Sequence, residues 1–251
     1  GPGWRVTLFP GPHRATMVWT IHHALIDGAS LALVLEELGA LLQDLPPGPE
    51  PEQSLASFSA ALALQDKAAA KGFFAAHFAD GGGGQGFLPP SDAPPGRKRL
   101  VTRTLTLGDS DALRAVTRAA GATTLNAVQL AWGLVLSRWT GQPVVDFGLV
   151  DSGRSLLPGL DRTVGCLIST LPMRLTIDGD CGVAAMLAAL RRTTLEMRPH
   201  SHASPTEVRR WAGLAGRTAL FDTIVMYSRA TLEGRMRKLG GPWLDWSVRL
   251  I

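Results

Sequence analysis

The chain has 251 residues, a net charge of +4, 45% hydrophobic residues and 18% charged residues. This composition excludes intrinsic disorder, which needs low hydrophobicity and high net charge. No apolar run approaches the roughly 20 residues needed to cross a bilayer, and no basic-then-apolar signal segment is visible. Two cysteines, Cys166 and Cys181, are too few for a disulfide framework. We therefore expect a globular protein of the reducing cytoplasm with no membrane partner.

Charge is distributed unevenly along the chain. Residues 191–251 contain eleven Lys and Arg against five Asp and Glu, which leaves residues 1–190 with a net charge of −2. The basic end is either a solvated surface or a docking face for an acidic protein. Its basic residues are scattered, and no zinc-finger, helix-turn-helix or aromatic RNA-binding motif is present, so we expect no nucleic-acid partner.

Apolar periodicity and turn residues predict the elements in chain order. The first two strands, joined by Pro-Gly-Pro, lead into a helix that Asp27 or Ser30 is placed to cap. The predicted strands are 4–9, 15–21, 99–107, 143–150, 170–177, 221–228 and 246–251. The predicted helices are 31–42, 54–78, 109–120, 123–139, 182–197 and 205–212. Strands and helices mix without strict alternation, which predicts an α/β fold with a mixed sheet.

The clearest loop is a glycine run, Gly81–Gly84, followed by several prolines. It lacks the Lys of a phosphate-binding loop and therefore indicates a flexible linker. We place a lobe boundary near Gly96, so that residues 1–96 form part of an N-terminal lobe and residues 97–251 part of a C-terminal lobe.

Two adjacent histidines, followed after three residues by Asp-Gly, are the strongest chemical signal. Neighbouring residues of a strand point to opposite faces, so one of His22 and His23 can face a cleft while the other packs or hydrogen-bonds inward. A histidine at the tip of a strand suits acid-base chemistry near neutral pH. Asp27 could orient an imidazole or pair with a distant Arg, and Gly28 leaves space for a substrate.

Other interpretations of this cluster remain open. Two histidines are often only a polar strand end. A metal site with His22, His23 and Asp27 as ligands is less favoured, because neighbouring strand residues diverge and the helical His-Glu-x-x-His pattern is absent. A serine hydrolase is disfavoured, since no Gly-x-Ser-x-Gly elbow is present.

Five segments resemble, in order, the motifs of nonribosomal peptide synthetase condensation domains, which belong to the chloramphenicol-acetyltransferase-like superfamily. Residues 20–28, Thr-Ile-His-His-Ala-Leu-Ile-Asp-Gly, resemble the family's His-His-x-x-x-Asp-Gly motif. The others are the helical stretch 58–78, Val145–Gly148 with Ser152-Gly153-Arg154, the Val-Gly-x-x-x-Asn-Thr-Leu-Pro-x-Arg-like segment Val164–Arg174, and Leu220–Thr223. The resemblance implies a two-lobed α/β fold of the chloramphenicol-acetyltransferase type, with mixed sheets and flanking helices.

The sequence also departs from the family pattern. Ser169 stands where the family usually has Asn, and residues 201–207 replace the usual His-Gln-Asp-x-Pro-Phe-Glu. The family has a long portion before the His-His pair, and further strands and a helix at the C-terminal side. We therefore expect a central portion of the domain with both lobes incomplete, which in isolation would aggregate, self-associate or depend on segments outside this sequence. The alternative is a compact variant that closes both lobes with fewer elements. The apolar residues expected to be exposed are Phe9, Trp19, Trp243 and Trp246.

The resemblance implies a role for each motif residue. His23 would face a tunnel and either take a proton from the attacking α-amine or position that amine, and the sequence leaves both roles open. His22 would be mainly structural. Gly28 would line the tunnel, where a side chain would obstruct the acceptor.

The resemblance also implies that Asp27 is a salt-bridge partner rather than a catalyst. Two arginines in the matching segments could reach it. Arg174 is the first choice and Arg154 the second.

The function implied by the resemblance is amide-bond formation between an upstream acyl or peptidyl thioester and a downstream aminoacyl thioester. Donor and acceptor carrier-protein domains would hold these substrates on phosphopantetheine arms, and adjacent synthetase domains would be partners. No metal or bound cofactor is expected, because the thioesters are already activated. The alternatives are a stand-alone acyltransferase of the same superfamily, using CoA or a carrier thioester, and a non-catalytic docking domain, against which the intact histidine pair argues.

Overall fold

The structure is a computed structural model that describes residues 2–79, 100–213 and 220–228. Its strands are β1 (Trp4–Phe9), β2 (Thr16–Ile21), β3 (Val144–Asp151), β4 (Ser169–Thr176) and β5 (Ile224–Val225). Its α-helices are α1 (Gly28–Leu41), α2 (Leu55–Ala63), α3 (Lys67–His77), α4 (Leu107–Ala119), α5 (Thr124–Thr140), α6 (Val183–Met197) and α7 (Pro205–Trp211). Two 3₁₀ turns accompany them, at His23–Leu25 and Arg198–His200.

Side-chain caps fix where most of the helices begin. The first N–H groups of a helix have no partner within the helix, and a short polar side chain can accept their hydrogen bonds. The capping residues of α1 to α5 and α7 are Asp27, Ser54, Asp66, Thr106, Thr123 and Ser204. Of the two predicted caps of α1, the structure therefore selects Asp27.

The described residues divide into two compact units. Unit 1 comprises residues 2–65 and 152–168 with Ser228, and unit 2 comprises residues 66–79, 100–151, 169–213 and 220–227. The predicted lobe boundary near Gly96 lies outside the described residues. Residues 152–168, which the sequence analysis assigned to the C-terminal lobe, belong to unit 1 because they hydrogen-bond to the start of α1 and pack against α2.

Unit 2 contains a three-stranded sheet in the order β4-β3-β5. Strand β4 is antiparallel to β3, and β5 is parallel to it, so the sheet is mixed as predicted. Helices α3 to α7 belong to the same unit, and its apolar core joins α3, α5, α6 and α7 to the sheet, whereas α4 contacts α5 and α6. The fully buried large side chains of this core include Phe74, Phe147, Met173, Leu187, Leu190 and Val208.

Unit 1 contains the antiparallel hairpin of β1 and β2, followed by α1 and α2. A small apolar cluster of Phe58, Leu160 and Leu167 joins α2 to the segment 152–168. The hairpin exposes apolar side chains, including Phe9, which is 56% exposed, whereas Trp19 is half-buried. The other two residues that we expected to be exposed, Trp243 and Trp246, lie outside the described residues.

Three predicted elements differ from the structure. The strand predicted at 99–107 is wrong: residues 100–106 have no regular secondary structure, and α4 starts at Leu107 because Thr106 and Asp109 form a capping box. The helix predicted at 54–78 is two helices, since Asp66 caps a new one. The strand predicted at 221–228 is reduced to β5, and the one at 246–251 lies outside the described residues.

Among the described residues, no single helix is long and apolar enough to span a membrane. Helices α4 and α5 meet a length and composition criterion only when taken together, and they are bent by 99° at their junction.

Candidate active site

The two histidines lie where the hairpin leads into α1. Strand β2 ends at Ile21, His22 is extended, and a 3₁₀ turn starts at His23. The backbone N–H of His22 donates to the Gly3 carbonyl at 2.8 Å, which holds the end of the strand to β1. The chain therefore leaves the strand before the second histidine. The directions of the two imidazoles are set by the 3₁₀ turn and not by the alternation of side chains along a strand.

His22 caps this turn, as a structural histidine would. Its Nδ1 accepts a hydrogen bond from the Ala24 N–H at 3.1 Å. The side chain remains exposed, so this hydrogen bond is a local cap and not the inward contact that we expected for one of the two histidines. The mainly structural role of His22 stays a prediction.

His23 is exposed, and its imidazole forms no hydrogen bond with any residue that the structure describes. The turn is held instead through the backbone, where the Ile26 N–H donates to the His23 carbonyl. An exposed imidazole without an intramolecular partner can offer its nitrogen lone pair to a substrate.

Asp27 anchors the other end of the turn and is almost completely buried. Its Oδ1 accepts from the Ser30 N–H at 2.8 Å, and its Oδ2 accepts from the Leu167 N–H at 3.1 Å. Its own N–H donates to the Gly165 carbonyl at 3.1 Å. The start of α1 is therefore tied to the segment around residues 165–167.

Arg154 is the ion-pair partner of Asp27, and the expected first choice, Arg174, is wrong. Arg154 Nη1 donates to Asp27 Oδ2 at 2.8 Å and Nη2 donates to Oδ1 at 3.1 Å, a bidentate arrangement. Burial raises the pKa of the Asp27 carboxyl, but the Arg154 guanidinium and the N–H groups of Ser30 and Leu167 outweigh it, so that this pKa lies below its ordinary value. Asp27 is therefore a buried carboxylate held in an ion pair, and its role as a support rather than a catalyst stays a prediction.

Gly153 allows Arg154 to reach this position. It has a φ of +65°, and a Cβ at this residue would collide with the Leu167 carbonyl and contact Phe58. Only glycine adopts this conformation at no steric cost. This explains why glycine stands at the centre of the Ser-Gly-Arg turn.

Arg174 has a different carboxylate partner in unit 2. It lies directly opposite Asp146 in the β3–β4 register, and its Nε and Nη2 donate to the two Asp146 oxygens at 2.9 Å each. Its guanidinium lies 4.5 Å from the centre of the Phe78 ring, a cation–π contact. These neighbours satisfy Arg174 within its own unit.

Gly28 is exposed, and a Cβ added to it would meet no atom of a described residue within 4 Å. Space for a substrate is therefore available next to the motif. Its assignment to the wall of a tunnel stays a prediction.

The metal interpretation has no support from the geometry. Both Asp27 oxygens already accept hydrogen bonds from Arg154 and from backbone N–H groups. Within the described ranges, no group of three or more His, Cys, Asp or Glu side chains could hold a metal ion.

Sequence reasoning missed the residues that complete the Asp27 anchor. Ser30 was considered only as a cap, although its hydroxyl contacts Arg154 and Gly165. The spacing Asp-x-x-Ser, which places Ser30 one helical turn from Asp27, was the available signal. Cys166 lies beside the same anchor, where burial and the Asp27 charge raise the pKa of its thiol.

The chain thus places a histidine pair on a turn that a buried Asp–Arg pair holds, within a mixed α/β fold. A family model described as "Condensation domain" matches residues 1–238. The chain belongs to the condensation domain family of nonribosomal peptide synthetases.

Similar proteins agree with this assignment. A linear gramicidin synthase protein of Brevibacillus parabrevis is 32% identical over 224 residues, a match that covers 84% of this chain and 4% of that protein. The first condensation domain of the CDA synthetase shares the fold, with a TM-score of 0.63, 20% identity and coverage of 89% of this chain and 51% of that chain. The EpoB cyclization-docking bidomain of Sorangium cellulosum has a TM-score of 0.77, 18% identity and coverage of 96% and 52%. The chain thus spans about half the length of these solved chains.

Proposed function

We propose that the domain joins an upstream acyl or peptidyl thioester to a downstream aminoacyl thioester through an amide bond. Carrier-protein domains would hold both substrates on phosphopantetheine arms, and neighbouring synthetase domains would supply those carriers. The observation that carries the proposal is the exposed imidazole of His23, which has no hydrogen bond with a described residue and lies on a turn anchored by Asp27 and Arg154.

The reaction balances without a metal or redox partner. The amine nitrogen of the acceptor attacks the carbonyl carbon of the donor thioester, the C–N bond forms, and the C–S bond breaks. The donor arm leaves as a thiol, with the proton that the amine gives up. His23 is suited to accept this proton or to hold the amine by a hydrogen bond, a contribution of about 10²–10⁴-fold for an acid-base group.

Tethering of the two substrates to carrier domains would supply the remainder of the rate enhancement. Two substrates held head to head react as if in one molecule, so the protein need only align the amine with the carbonyl. The support from Asp27 and Arg154 matters for this reason, since the buried ion pair fixes the end of the turn that bears His23.

The experiment uses the synthetase chain that contains this domain, with both carriers loaded, and follows amide formation by mass spectrometry. The expected result is a linked product in the wild type and a loss of about 10²-fold or more in His23→Ala. His13→Ala provides a control, because His13 is also exposed but lies in the hairpin loop. Transfer from a CoA thioester to a free acceptor without carriers would favour a stand-alone acyltransferase. A folded wild type that makes no amide would favour a docking domain.

A further inference from the structure

The hydroxyl of Ser30 uses its full hydrogen-bonding capacity inside the motif. Ser30 is completely buried. Its Oγ accepts from Arg154 Nη2 at 2.9 Å and from the Gly165 N–H at 3.0 Å, and it donates to the Gly165 carbonyl at 2.8 Å. A hydroxyl has one donor and two acceptor positions, and all three are occupied here.

These bonds connect three parts of the chain at one atom. Ser30 belongs to the first turn of α1, Arg154 is held against Asp27, and Gly165 receives the Asp27 N–H. The side chain therefore sets the separation between helix α1 and the segment around Gly165. The ion pair is not the sole link, because Arg154 Nη2 also donates to Ser30 Oγ and to the Thr163 carbonyl.

The position of His23 depends on this anchor. The imidazole has no hydrogen bond of its own with a described residue, so it is placed by the two ends of its turn. At one end of the turn, the His22 N–H donates to the Gly3 carbonyl. At the other end, Asp27 is hydrogen-bonded to Gly165 and Leu167. A shift of Asp27 and Gly165 relative to each other would thus move His23.

We infer that Ser30 is a positioning residue that holds the His23 turn in its reactive place. The inference rests on the proposed function. Without the hydroxyl, the buried Gly165 N–H loses its acceptor, and Arg154 Nη2 keeps only Asp27 Oδ1 and the Thr163 carbonyl. A buried N–H without an acceptor favours a rearranged or hydrated structure. A displacement of about 1 Å in a reacting group can lower turnover by about 10²-fold.

The test compares Ser30→Ala with Ser30→Thr, which keeps the hydroxyl, in the loaded synthetase. We expect Ser30→Ala to lower the rate constant of amide formation by roughly 10- to 10²-fold, with an unchanged KM for the loaded acceptor carrier. Ser30→Thr should recover a large part of the loss. In a His23→Ala background, Ser30→Ala should change the rate by less than about twofold, because the group that Ser30 positions is gone.

Ser59→Ala is the matched control, since Ser59 is exposed on α2 and should leave the rate unchanged. If Ser30→Ala does not fold, Ser30→Cys gives the same comparison with a weaker hydrogen-bonding group of similar size. Wild-type turnover in the variant, or an equal loss in both backgrounds, would overturn the inference while the proposed function stands. A wild type that forms no amide overturns the proposed function, and the inference with it.

Discussion

Asp146 and Arg174 face each other across β3 and β4 and form a bidentate ion pair with both N···O distances at 2.9 Å. Both side chains are nearly excluded from solvent. The pair therefore differs from the exposed Asp111–Arg114 pair of α4. The register of two strands positions the Asp146–Arg174 pair, whereas only the spacing along one helix positions the Asp111–Arg114 pair.

Asp146→Ala is expected to destabilise unit 2 strongly. The change leaves the Arg174 guanidinium buried without its carboxylate, at a cost of about 3–5 kcal/mol. Asp111→Ala, which breaks the exposed pair, should cost less than about 1 kcal/mol. Denaturant unfolding of the two variants measures both values, and equal small losses would contradict the importance that we give to burial.

The second prediction concerns the partner of Asp27. Asp27→Ala and Arg154→Ala should each cost about 3–5 kcal/mol, and the double variant should lose less than their sum by about 1–3 kcal/mol. The combination of Asp27→Ala with Arg174→Ala should be additive, because Arg174 has its own carboxylate. If the unfolding free energies show coupling of Asp27 to Arg174 and none to Arg154, then Arg174 is the ion-pair partner, as the sequence led us to expect.

The sequence located the motif and limited the cap of α1 to Asp27 or Ser30, because both depend on local spacing. The mixed sheet was predictable from the order of strands and helices. The sequence could not decide between Arg154 and Arg174, since both follow in matching segments and the choice depends on strand register. For residues 100–106, the local pattern predicts the wrong secondary structure. Their alternation of basic or Thr with apolar residues is typical of a strand, but no described strand pairs with them, and Thr106 starts a helix.

Gly28 provides a third prediction that separates folding from substrate access. A Cβ at this position meets no described atom, so Gly28→Ala should raise the free energy of unfolding by up to about 1 kcal/mol or leave it unchanged. If Gly28 lines the path of the acceptor, Gly28→Leu should lower turnover by an order of magnitude or more. Gly72→Leu is the control, because Gly72 is also exposed on a helix with open space around it. Equal turnover in both leucine variants would contradict the tunnel role.

The fourth prediction concerns a ring stack in unit 2 and its response to acid. The Phe73 ring lies between two imidazoles, with centroids 5.5 Å from His77 and 4.7 Å from His200. His77 Nε2 is buried without a partner among the described residues. Burial and the positive charge of Arg174 lower the pKa of His77, and Asp146 and Glu196 act against this shift without cancelling it. Burial and His202 lower the pKa of His200, with Asp66 opposing.

Histidines with a lowered pKa stabilise the folded state above the pKa of the unfolded chain, near 6.5. As the pH falls from there towards the folded-state pKa, the unfolded state binds more protons and the free energy of unfolding decreases, by at most about 1.4 kcal/mol per pH unit for each group. The carboxyl of Asp27, whose pKa is also lowered, acts in a separate pH range, because its contribution to stability is lost only as the pH falls below about 3.8.

We therefore expect the unfolding midpoint to decrease between pH 6.5 and 5, and His77→Gln or His200→Gln to reduce the slope of this decrease. His13→Gln, at an exposed site, should leave the slope unchanged. A slope that persists in the double variant His77→Gln/His200→Gln would show that other groups control acid stability.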